Sequence, residues 1–200
     1  MSNKKAYFTV GALALIFIGP MLAAWIVFVI QPTWLANTVN RGHLIQPPLN
    51  FSQLILHKQN NDAVAKVPGN GKWRMVFVSP LPCGKICQDN IHKMRQVERS
   101  FLDKQKTRVD RIWLTYQPIR DGKLLGVLHR EYPGMQAYVV SKQQFAAFSK
   151  ALPSRVKAMQ VGYLYFVDPN NNLFMSYAPD AKYKDILKDL TKLMKVSQIG

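Results

Sequence analysis

Charge is missing from the beginning of this 200-residue chain: no Asp, Glu, Lys or Arg occurs from Ala6 to Asn40. Within that stretch, residues 7–30 are apolar apart from Thr9 and a few small residues, and about 20 such residues suffice to cross a bilayer. A single transmembrane helix over 7–30 is the expectation, with residues 1–6 ahead of it. A cleaved signal peptide needs only about 7 to 15 apolar residues, whereas this run continues through Trp25-Ile-Val-Phe-Val-Ile30. Lys4 and Lys5 precede the span and Arg41 alone follows closely, so the basic bias places the N-terminus in the cytoplasm and the remainder outside it. Thiols there can be oxidised.

Acidic side chains are scarce throughout, 11 against 27 basic ones, for a net charge of +16. Because residues 1–30 hold only Lys4 and Lys5, the part beyond the span carries +14. So few scattered carboxylates nominate no general acid–base pair. There is also no glycine-rich phosphate loop, no nucleophile elbow and no paired histidines at metal-ligand spacing. A basic domain tethered to a membrane faces anionic headgroups or acidic protein surfaces. No basic helix and no aromatic–basic interleaving accompanies the charge, so nucleic acid is excluded as a partner.

Cysteine is nearly absent too, and its two copies fall together in Trp73-Arg-Met-Val-Phe-Val-Ser-Pro-Leu-Pro-Cys83-Gly-Lys-Ile-Cys87. A buried strand ends in a proline-containing turn, and the cysteines sit where a helix should open. Thioredoxin-like folds present reactive thiols in this way. A spacing of four puts both on one helix face, with Cα atoms about 6 Å apart, within disulfide reach. Disulfide, dithiol and two-sulfur metal clamp are all open to such a pair. Closing so short a loop restrains little unfolded-chain entropy, which makes stability a poor reason for a bond here. At a helix N-terminus Cys83 is the expected nucleophile and Cys87 the resolving thiol.

The remaining order is α/β. Residues 31–50, with Pro32, Pro47 and Pro48, read as a semi-rigid linker, and 51–200 as one domain. Phe51 to Lys58 reads as a first strand, Met75–Val78 as a strand covered on both faces, and Ile112–Tyr116 as another. Cys87, Ile91, Met94, Val97 and Phe101 recur at helical intervals. Gln117 to Ala137, with Pro118, Gly122, Gly126, Pro133 and Gly134, reads as a long loop. A short helix is expected over Gln143–Leu152, a hairpin around Asp168-Pro-Asn-Asn-Asn172, and a final amphipathic helix over Ala181–Val196.

The segment Gly71-Lys-Trp-Arg-Met-Val-Phe followed by CxxxC, the run Tyr165-Phe-Val-Asp-Pro169-Asn and the proline-containing linker after one span resemble the Sco family. The resemblance implies a membrane-anchored thioredoxin-like domain that assists assembly of the copper centre of cytochrome c oxidase. It also implies a bacterial inner-membrane location with the C-terminal domain in the periplasm, and a partner that is an oxidase subunit or another periplasmic assembly factor. Cys83 and Cys87 take the place of the two thiolate ligands for Cu(I). The family's histidine ligand has no counterpart: Gln160 stands there, and no histidine occurs between Ala151 and Gly200. Gly84 and Gln88 replace the prolines that usually follow the cysteines. Met159, His92 and His129 are the alternative third ligands, while His43 and His57 are expected to have no role. Two other functions fit the same pair: a general membrane-tethered thiol–disulfide oxidoreductase, and a non-catalytic assembly scaffold.

Overall fold

The computed structural model describes residues 3–30, 40–59, 64–65, 71–101, 107–152 and 162–197, in two units divided after residue 39. Helix α1 (Asn3–Ile30) forms the first unit. Its segment Tyr7–Ile30 has a mean hydropathy of 2.7 and is long and apolar enough to span a membrane. Pro20 lies inside it, as membrane helices tolerate.

The second unit is built on a mixed sheet. Its described strands are β1 (His43–Asn50), β2 (Leu56–Lys58), β3 (Val64–Ala65), β4 (Trp73–Val78), β5 (Val109–Thr115), β6 (Met135–Val139), β7 (Leu164–Val167) and β8 (Asn172–Tyr177). They lie in the order β1-β8-β7-β4-β5-β6-β2-β3. Strands β4, β5 and β6 run parallel, and β7 and β8 continue antiparallel from β4. Its described helices are α2 (Lys85–Arg99), α3 (Gly122–Glu131), α4 (Lys142–Lys150) and α5 (Tyr183–Val196).

Alternation along β4 explains the two-sided core. Trp73, Met75 and Phe77 enter one layer with Ile91, Met94 and Val97 of α2 and Ile186, Leu190 and Met194 of α5. Val76 and Val78 enter the other with Phe145 and Phe148 of α4. Successive strand side chains point to opposite faces, so a strand covered on both reads as a continuous apolar run. Parallel register sets Phe77 beside Trp113, their rings stacked 5.7 Å apart.

The hairpin forms as its composition requires. Asp168 Oδ1 accepts from the backbone N–H of Asn170 and of Asn172, both at 2.8 Å. Asn171 adopts φ 67°, a left-handed conformation that asparagine tolerates.

Three sequence expectations are corrected. Residues 117–137 are not a loop but contain α3 and β6; Asp121 caps α3, accepting from Lys123 N–H at 2.9 Å and Leu124 N–H at 3.3 Å. Gly122 and Gly126 are helix residues, because the cap and the packing of Leu124 and Leu128 against the core outweigh their weak propensity, while Gly134 stays in the turn before β6. The linker ends early: His43–Asn50 pairs with β8 at the sheet edge, where Pro47 and Pro48 are tolerated beside a register shift between Leu44 and Leu49. Finally, Phe51–Gln53 is a 3₁₀ turn and only Leu56–Lys58 is strand.

Candidate functional site at the start of the second helix

Strand β4 ends at Val78, and Ser79-Pro80-Leu81-Pro82 carries the chain to the cysteines, with the Leu81–Pro82 bond cis. Gly84 is the N-cap of α2 in an extended conformation. Cys83 therefore lies one residue before the cap, outside the helix, and Cys87 in its first turn. Sequence spacing had put both on the helix; the extended Gly84 moves Cys83 off it while leaving the Cα atoms 5.3 Å apart. The two sulfurs form a disulfide.

The two halves of that bond meet different surroundings. Cys87 is 2% exposed and belongs to the α2 stripe with Ile91, Met94 and Val97. Cys83 is half-buried. Its carbonyl accepts from Gln88 Nε2 at 3.2 Å, and Gln88 N–H donates to Gly84 O at 3.0 Å, which fixes the turn. An incoming thiolate reaches the Cys83 sulfur more readily than that of Cys87.

Two residues that sequence reading passed over hold this turn against the sheet. Asn90, buried on α2, donates from Nδ2 to Gly162 O at 2.7 Å. Gly162 N–H in turn donates to Val78 O. Gly162 has φ +90°, and a Cβ there would stand 2.6 Å from Ile86 Cγ2. Only glycine fits both the left-handed backbone and the close approach. A polar residue on an apolar helix stripe was the available signal for Asn90.

An open groove of about 520 Å³ runs beside Cys83. Leu81 and Pro82 form one wall, and Pro118, Arg120 and Leu124 the other. The second wall belongs to the stretch read as a loop, so its part in the site was missed; Asp121 ahead of the Leu124-Leu125 and Leu128 pattern was the signal for a capped helix.

The candidate third ligands are dispersed. His92 is exposed on α2 in a cleft with Asp89, Gln96 and Tyr183. His129 is exposed on α3, not in a loop folding over the sulfurs. His43 and His57 lie in β1 and β2. Among the described residues no group of three His, Cys, Asp or Glu side chains is arranged to hold a metal ion. Met159 and Gln160 lie outside the described residues.

A disulfide at the start of a helix, reached from the central strand of a mixed sheet, defines a thioredoxin-like domain. The profile described as "Transmembrane-like, thioredoxin-like, C-terminal domain" matches residues 73–197, and the chain belongs to that family. Among solved structures the fold is similar to apo Sco1 from Thermus thermophilus, at 15% identity and a TM-score of 0.60, covering 79% of this chain and 99% of that one. Similar too is Arabidopsis thaliana ScoI with copper bound, at 13% identity and a TM-score of 0.56, covering 76% and 99%. BsSco, described by its disulfide switch as a member of the Sco family of cytochrome c oxidase assembly proteins, shares 19% identity over 76% and 99% of the two chains, with a TM-score of 0.51. No curated protein sequence matches the chain.

Proposed function

We propose that this chain is a membrane-anchored Sco-like assembly factor whose Cys83–Cys87 pair performs thiol–disulfide exchange, or passes on Cu(I), during formation of the copper centre of cytochrome c oxidase. The observation that carries the reading is the asymmetric disulfide: Cys83 half-buried beside a groove, Cys87 packed in the core, in a fold similar to the Sco structures. Helix α1 is the anchor, and the disulfide suits a domain held in an oxidising space such as the periplasm.

The exchange is balanced as follows. In the reduced protein the Cys83 thiolate attacks a partner disulfide; a Cys83–partner bond forms and the partner's second sulfur leaves as a thiolate. Cys87, deprotonated by solvent, attacks Cys83, the intramolecular bond forms and the partner departs as a dithiol. Two electrons and two protons pass to the partner. Copper(I) as cargo is soft and is held by the two thiolates of the reduced state only, and without a third ligand among the described residues the pair favours brief holding over storage.

The test is replacement of both cysteines by serine in cells whose oxidase assembly depends on this chain. Loss of the oxidase copper centre is expected, together with reduction of a CuA-type disulfide by the purified reduced protein. Full assembly with the double variant would instead establish the scaffold reading, and equal turnover of arbitrary protein disulfides would establish a general oxidoreductase.

A further inference from the structure

The groove beside Cys83 is a built feature. Its far wall is pinned by Gln59, whose Oε1 accepts from Ile119 N–H at 2.7 Å while its Nε2 donates to Thr115 Oγ1 at 3.1 Å. Ile119 itself is buried. The α3 cap then fixes the start of the helix that carries Leu124. A wall held at both ends presents the same shape before and after a partner arrives, which lowers the ordering cost of binding.

Its charge is uneven. Asp121 also lines the groove and is exposed, but its Oδ1 accepts from the α3 N–H groups of Lys123 and Leu124. Arg120 is exposed and, among the described residues, makes no ion pair. Lys85, just after the cysteine turn, and Lys123, on the first turn of α3, are exposed and likewise unpaired among the described residues. Among the described residues Arg120 is the cation that lines the groove, its walls are apolar through Leu81, Pro82 and Leu124, and a sulfur that can exchange stands at its edge.

We propose that this groove seats an extended acidic segment of a partner protein, with Arg120 pairing to a carboxylate a few residues from the partner cysteine that meets Cys83. Arg120 is thus a specificity residue and Gln59 a positioning residue. The proposal deepens the dithiol reading of Cys83 and rests on it for its chemistry; the recognition itself is non-covalent.

The test uses full-length Cys87→Ser protein in uncharged detergent, leaving Cys83 as the sole thiol. Two twelve-residue peptides each carry one cysteine as a thiopyridyl disulfide, flanked by two glutamates in one and two lysines in the other. The Cys83 thiolate attacks the peptide sulfur, the peptide–Cys83 bond forms, and the pyridine thiolate leaves, takes a proton from solvent and is read by absorbance. The acidic peptide is expected to react about fivefold faster, the upper end for one exposed ion pair. Arg120→Glu brings the ratio to about one or below, and Arg120→Gln to an intermediate value. Lys188→Glu makes the same charge change at an exposed position of α5 and keeps the ratio within about twofold of its starting value, as screening over distance requires. An unchanged ratio in Arg120→Glu, or an equal fall in Lys188→Glu, overturns the proposal. If Cys83 reacts with neither peptide, anisotropy of the serine analogues decides: acidic-selective binding weakened by Arg120→Glu keeps the groove and removes the exchange chemistry, while no selectivity removes the groove.

Discussion

Opening the Cys83–Cys87 bond with a reductant should leave the fold standing. The bond joins residues four apart in sequence, and loop-closure entropy for so small a ring is about 2 kcal/mol at 25 °C. Little else is lost. Cys87 stays packed in the α2 stripe, and Asn90, Gly162 and the Gln88 contact hold the turn independently of the sulfurs. For a domain of this size about 2 kcal/mol corresponds to a fall in Tm of roughly 4–8 °C. The assay is urea and thermal unfolding of the full-length protein in detergent, with and without excess phosphine reductant, followed by near-UV circular dichroism so that α1 contributes little. An intact near-UV spectrum and a loss of about 2 kcal/mol or less is expected. A loss above about 4 kcal/mol, or collapse of the near-UV signal, would refute the reasoning and make the bond a structural staple.

Further expectations follow from individual side chains. Gly162→Ala should cost about 2–4 kcal/mol, combining a left-handed backbone with a clash against Ile86; a urea midpoint within error of wild type would contradict it. With Cys87→Ser, Cys83 should take up iodoacetamide at least about tenfold faster than Cys87 does in Cys83→Ser, since access governs a thiol's reactivity; equal rates measured by mass spectrometry would remove the asymmetry. Burial, and then the hydrogen bond from its hydroxyl to Asp189 at 2.6 Å, push the Tyr177 phenol above its ordinary value of 10.0. A raised folded-state value favours the neutral phenol, so its contribution is full below pH 10 and is lost as pH rises further. The urea midpoint should therefore fall more steeply above pH 10 in wild type than in Tyr177→Phe, and parallel curves would count against it.

Much of this architecture was legible because it is periodic. The α2 and α5 stripes and the β7–β8 hairpin repeat at helical or turn spacing, and the strand cores Met75–Val78 and Ile112–Leu114 are unbroken apolar runs. What escaped was set by contacts between distant residues. Arg74, Asp110 and Arg111 are buried in β4 and β5, where no hydropathy pattern would put them. Arg111 is offset by Glu98, 3.0 Å from its Nη2, and Asp110 by Lys72 at 3.3 Å. Their partners come from other elements, so a local window ends the strands too late or begins them too far along. The α3 helix was hidden by Gly122 and Gly126, whose weak propensity is offset by the Asp121 cap and by core packing. At the site itself the cysteine pair was plain, but Cys83's displacement from the helix depends on the backbone of Gly84, and the groove wall on Gln59, some 60 residues from Ile119 in sequence.

The reduction potential of the Cys83–Cys87 pair bears most directly on whether it is a working dithiol. Equilibrating the full-length protein in detergent with graded thiol–disulfide buffers, trapping free thiols by alkylation and counting them by mass gives the value. An exchangeable bond equilibrates above about −300 mV, in the range of oxidoreductase and assembly thiols. A bond that stays closed until well below about −300 mV behaves as a structural disulfide, and would contradict the exchange chemistry assigned to Cys83 and Cys87.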